Sequence, residues 1–212
     1  MTTTKPKRAN TELDLSDLLK RKKSFDIINE KPLAMMYDVY IVGEIEEPEN
    51  YLEVFDKIRN AGELDVIKLH LNTPGGYLST AIQFWRVLHE TSAKVVASIE
   101  GECMSAGTIL MLGAQAFEIS DHSLIMVHHF SSGTYGKGQE LRDRAAAEAT
   151  WSNKMFREIY KDFLTEDELD KMLDGKDFWL SADETLTRLQ NKARISKMNA
   201  AAEDDVKEDE SE

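Results

Sequence analysis

The chain has 212 residues, 42% hydrophobic and 31% charged, which is enough apolar material for one globular core and does not demand a second domain. Its formal net charge of -13 argues against a general nucleic-acid binder, because neutralising phosphates needs clustered Lys and Arg. The lone cysteine, Cys103, excludes an intrachain disulfide and a Cys-based zinc site and suits a reducing cytosol; with no apolar run near the roughly 20 residues of a membrane span, the sequence reads as cytoplasmic, without membrane contact.

Residues 1–35 hold few large apolar groups and no sustained period, so they read as a flexible N-terminal extension, and no apolar stretch of the secretory-signal kind occurs there. Bulky and polar residues then alternate in YDVYIVGEI (37–45), predicting a strand, and Tyr51 to Ala61 carries Leu52, Val54, Phe55 and Ile58 at helical spacing. A second unit follows: strand DVIKLHLN, turn TPGG, and a helix over 78–90. A third repeats the order, with strand KVVASIE, turn GECM and helix SAGTILMLGA, before two short strands, AFEIS and SLIMVHH. Strands alternating with helices through short loops predict parallel pairing with right-handed crossovers.

Beyond the polar turn SSGTYGKG, residues 139–163 predict one long helix. Thr165 with Glu168, and Ser181 with Glu184, form capping-box patterns for two more. The expected organisation is an extension over 1–35, a domain over 36–196 carrying a helical arm, and an acidic disordered tail over 197–212.

Four segments carry residues with chemical potential. In GECMSAG, Ser105 stands where an apolar strand gives way to a helix of small residues. Unpaired N–H groups and the positive end of the helix dipole would stabilise charge developing there; a plain N-cap is the competing reading. In NTPGG, glycines after a buried strand let backbone N–H groups face outward, as an oxyanion hole requires, although Gly and Pro also punctuate ordinary turns. In DHSLIMVHHF, a histidine would supply the base that a serine nucleophile needs. Alternation sends His128 and His129 to opposite faces without saying which looks toward Ser105. A metal site is the other functional reading of these histidines, but no carboxylate or thiol cluster accompanies them at ligand spacing. In GKDFWLSADE, Asp177 precedes an aromatic pair expected to be buried and would orient an imidazole, or simply be a solvated acid. His70 and His89 read as structural.

Taken together, NTPGG, GECMSAG, LIMVHH and KDFWLSADE resemble, in order and spacing, the ClpP family of serine peptidases, whose pattern runs N-S-P-G-G, G-x-x-x-S-x-G, M-I-H-Q-P and D-x-F-[ML]-[ST]-A-x-E. The resemblance covers residues 36–185 and implies an α/β fold of the ClpP/crotonase type, with repeated ββα units and a projecting arm helix. It implies Ser105 as nucleophile, His128 as base, Asp177 as acid, and the N–H groups of Gly76 and Ala106 as oxyanion donors, with no cofactor or metal. It further implies polypeptide substrates, stacked homo-oligomeric rings, typically heptameric, and an AAA+ unfoldase as partner. The chain departs from the family pattern at three places. His129 and Phe130 replace Gln-Pro, the closing Tyr-Gly-Leu-Ile-Asp strand is missing after Ala182, where Thr187 to Ala193 look helical, and the N-terminal extension is longer. These are compatible with a divergent, phage-encoded relative. A dedicated capsid-maturation protease, a catalytically silent ring or assembly subunit, and a crotonase-type acyl-CoA enzyme are the alternative readings.

Overall fold

A computed structural model describes residues 33–133 and 135–209, so nearly all of the expected N-terminal extension lies outside the described residues. A strand β1 (Met36–Val42) leads through a 3-10 turn, Pro48–Tyr51, into α1 (Leu52–Asn60). There follow β2 (Val66–Thr73), α2 (Leu78–Glu90), β3 (Lys94–Met104), α3 (Ala106–Leu112), β4 (Ala116–Ile119) and β5 (Leu124–Val127). The chain closes with α4 (Gly138–Ile159), α5 (Glu166–Leu173), β6 (Phe178–Ser181) and α6 (Ala182–Asp209).

The six strands form one sheet in the order β1-β2-β3-β5-β6, with β4 also pairing β3. Strand alternation sorts the two faces. Along β2, Ile67, Leu69 and Leu71 are buried, while Lys68 and His70 point to the other side. The apolar side meets Phe55 and Ile58 of α1 and Ala81, Phe84, Val87 and Leu88 of α2. Phe55 and Phe84 pack edge-to-face with ring centroids 4.8 Å apart; burying each ring stabilises the fold by about 2 kcal/mol. Every residue of α3 is buried, which its run of Ala, Gly and aliphatic residues permits.

The opposite face is polar and paired. Lys68 Nζ donates to Glu118 Oε2 at 2.8 Å. His70 lies between Glu100 Oε1, 2.5 Å from Nδ1, and Asp38 Oδ1, 3.0 Å from Nε2, stacked on Tyr40 at 4.3 Å. Glu100 and then Asp38 hold its pKa above the ordinary histidine value. The expected structural role of His70 fits these contacts, and His89 likewise turns its Nδ1 to the Trp85 carbonyl of its own helix, 2.7 Å away.

Four expectations are corrected. GECM is strand rather than turn: β3 runs to Met104 because its second half gains a new partner, pairing Glu102, Cys103 and Met104 with Leu124, Ile125 and Met126 of β5. The sheet is not wholly parallel, since FWLS forms β6 and runs antiparallel to β5. The aromatic pair in that strand is not buried as a pair; alternation sends its two rings to opposite faces, leaving Trp179 55% exposed. The long helix stops at Ile159, and Asp162 at φ 63° turns the chain toward α5. After β6 the chain enters α6 and, among the described residues, makes no further strand; that helix runs past residue 196 as far as Asp209.

Candidate active site

The site is assembled by strand register. β3 and β5 pair at Met104 and Met126, and the next residue, Ser105, donates its N–H to the Met126 carbonyl at 2.8 Å. β5 and β6 pair at Val127 and Phe178, so one further step sets His128 opposite Asp177. The side chains follow. His128 Nε2 lies 2.7 Å from Ser105 Oγ. His128 Nδ1 lies 3.9 Å from Asp177 Oδ1, within ion-pair range but too long for a hydrogen bond, and the Asp177 side chain is 51% exposed. If the hydroxyl donates to Nε2, the neutral ring carries its proton on Nδ1, the nitrogen that faces the carboxylate.

Ser105 is the N-cap of α3 but not the capping side chain that its residue type suggests. Its hydroxyl makes no cap hydrogen bond, and its backbone sits at φ 52°, ψ -123°, a conformation costly for a residue with a Cβ. The turn after β2 presses directly against it. A Cβ on Gly75 would fall 2.7 Å from Ser105 Cβ and 2.8 Å from the Met104 carbonyl, and one on Gly76 would collide with the backbone of Ile45. Only glycine lets the two turns meet. Among the described residues, neither the Gly76 N–H nor the Ala106 N–H has a hydrogen-bond partner. Both residues line, with Ser105 and His128, a cavity of about 390 Å³ whose apolar wall is Leu78, Ile109, Phe130, Phe156 and Tyr160.

A family model described as Clp protease matches residues 33–188. The chain belongs to the Clp protease family. It is therefore a peptidase of the ClpP kind, and the matched span contains all five residues singled out from the sequence. In this Clp protease family member the neighbouring histidine is turned away. His129 Nε2 lies 3.3 Å from Ser152 Oγ on α4, and the ring packs on Phe130 and Phe156 with centroids 4.8 and 5.4 Å away. Burial, and then the charge of His128, hold its pKa below the ordinary value. Cys103, two residues before Ser105, is buried, and its thiol is pushed up to about 12 by that burial, which keeps it protonated at neutral pH. Among the described residues no group of three or more His, Cys, Asp or Glu side chains is arranged to hold a metal, and no helix is long and apolar enough to cross a membrane.

The sequence reading missed Thr108 and Tyr160. Thr108 Oγ1 lies 2.7 Å from the Ser105 carbonyl and 2.6 Å from Tyr160 Oη. Position i+3 from the serine was a readable signal for Thr108. Nothing local marked Tyr160, which is brought in from 52 residues away by the end of α4.

Proposed function

We propose that this chain is a serine endopeptidase that cleaves unfolded polypeptides through an acyl-enzyme. The observation that carries the reading is the 2.7 Å contact between His128 Nε2 and Ser105 Oγ, made beside an apolar cavity with two unpartnered backbone N–H groups. His128 takes the Ser105 proton as Oγ bonds to the peptide carbonyl carbon. The carbonyl oxygen becomes an oxyanion and is held by the N–H groups of Gly76 and Ala106. Collapse breaks the C–N bond, and His128 gives its proton to the leaving amine. Water, deprotonated in turn by His128, then releases the acyl group and restores Ser105. Asp177, 3.9 Å from Nδ1, balances the imidazolium, and closing to hydrogen-bond distance it keeps the imidazole in the Nδ1–H tautomer.

Clp proteases generally form oligomeric rings and work with unfoldases. For this chain the reading extends to stacked homo-oligomeric rings, heptameric as in the family, fed by an AAA+ unfoldase in the cytoplasm.

Labelling with a fluorophosphonate probe tests the nucleophile. The wild-type chain should label and hydrolyse fluorogenic peptides. Ser105→Ala should do neither, with at least a thousandfold loss of kcat/KM and an unchanged circular dichroism spectrum. An unlabelled wild type would make the chain a silent ring or assembly subunit, and an Ala variant that still cleaves would reduce Ser105 to a helix cap.

A further inference from the structure

Tyr160, the first residue past α4, is fully buried, and its hydroxyl meets that of Thr108, which is also fully buried. Thr108 Oγ1 in turn reaches the Ser105 carbonyl at 2.7 Å, and the Thr108 N–H reaches the same oxygen at 2.9 Å. The direction of these bonds follows from what each atom is able to do. A carbonyl oxygen only accepts, so the single Thr108 hydroxyl proton is committed to Ser105, and Thr108 Oγ1 is left to accept from Tyr160. Burial holds the Tyr160 phenol above its ordinary value, so it is a donor at any working pH. The chain of donation runs Tyr160 to Thr108 to Ser105.

What this fixes is a peptide plane. The Ser105 carbonyl and the Ala106 N–H belong to one planar trans unit, in which the C=O and N–H bonds point in opposite directions. Anchoring the oxygen on Thr108 therefore aims the Ala106 N–H the other way. That plane follows a residue whose φ of 52° is unfavourable, so it needs external ties to hold its angle. One tie is the Ser105 N–H to the Met126 carbonyl at 2.8 Å, and a second is the Thr108 N–H to the Ser105 carbonyl at 2.9 Å; the Thr108 hydroxyl, backed by that of Tyr160, adds a third on that same oxygen.

We propose that Tyr160 and Thr108 are positioning residues that aim the Ala106 N–H at the oxyanion, and so tie the base of the α4 arm to the chemistry at Ser105. This rests on the serine-peptidase reading above. A misaimed donor weakens binding of the tetrahedral state and leaves substrate binding alone, so its loss falls on kcat and not on KM.

Steady-state hydrolysis of a fluorogenic peptide, and the rate of fluorophosphonate labelling, should be measured on the full chain. The set is wild type, Tyr160→Phe, Thr108→Val, the double variant and Thr108→Ser, with thermal unfolding recorded for each. Tyr160→Phe keeps the ring that lines the cavity and should lower kcat and the labelling rate about tenfold at unchanged KM, a modest share of the loss caused by removing a whole oxyanion donor. Thr108→Val should lose more. The double variant should lose no more than Thr108→Val, because Tyr160 acts through Thr108, and Thr108→Ser should recover most of the rate. Losses that multiply in the double variant, a change confined to KM, or a serine variant as slow as the valine one would each overturn the relay. Wild type that labels while Tyr160→Phe and Thr108→Val label equally fast overturns the relay alone. Wild type that fails to label overturns the nucleophile, and the relay with it.

Discussion

At the end of β5, His128 and His129 meet different surroundings within one residue. His128 touches Ser105 Oγ, whereas His129 is packed among Phe130, Phe156 and Ser152 at the base of the arm. Their substitutions should therefore separate. His128→Ala is expected to lose about as much kcat/KM as Ser105→Ala, at least a thousandfold, since nucleophile and base act as a unit. His129→Gln should keep activity within a few-fold and show instead a modest fall in thermal midpoint, from the lost aromatic contacts. Peptide hydrolysis and a melting curve on the two variants check this, and the reverse ranking would mean that the base has been misassigned. Residue types were legible in the sequence: serine, histidine, acid and glycine turn stood in readable order. Which histidine faced the serine was not readable from alternation, which gives two faces and no origin. The origin comes from the pairing of Met104 with Met126 across β3 and β5, a contact between segments that local pattern does not connect.

Among the elements, α5 and α6 are locked by one carboxylate. Glu168 caps its own helix by accepting from the Thr165 N–H at 2.9 Å. Its two oxygens also accept from Arg188 of α6, at 2.8 and 2.9 Å. Arg188 donates further to the Phe163 carbonyl at 3.1 Å, so α6 is also tied to the turn after α4. The Arg188 hydrogen bonds, foremost, hold the Glu168 carboxyl at about 2, against an ordinary 4.5. A carboxylate with a depressed folded-state pKa stabilises the fold above its unfolded pKa and loses that contribution as pH falls toward the folded one. Arg188→Met should thus lower the unfolding free energy by about 2 kcal/mol at neutral pH. The gap should narrow as pH falls from 4.5 to 2. Denaturant titrations at several pH values and fixed protein concentration measure it, and a gap constant with pH would remove the ion pair as its cause. The capping box was legible because it is local, at i and i+3; Arg188, 20 residues away, was not. β6 was missed for a related reason. Its four residues are too few for a period, and only β5 alongside makes them a strand.

For the whole molecule, the unresolved demand is the arm. α4 has 22 residues, but its buried ones, Ser152, Phe156 and Ile159, all lie in its last turns. The preceding stretch leaves Trp151 46% exposed, beside a groove formed with Ile82, Trp85 and Met155. A helix anchored at one end and uncovered at the other is poorly suited to a monomer. Clp proteases generally form oligomeric rings, and in the stacked rings proposed above a second copy of this chain would cover the arm. The arm's base also touches the chemistry, since Phe156 and Tyr160 line the cavity and His129 packs on Phe156 next to His128. Asp177, half exposed and 3.9 Å from His128, has slack that a packed arm would remove. Assembly and activity should therefore rise together. Light scattering after size exclusion is expected to give a mass many times the 24.1 kDa of one chain, with peptide hydrolysis confined to the large species. Trp151→Glu, which puts a charge on the uncovered surface, should shift the chain toward small species and lower kcat at least tenfold, while circular dichroism stays unchanged. A monomer that cleaves at full rate would leave Ser105 and His128 in their roles and take the ring out of the mechanism.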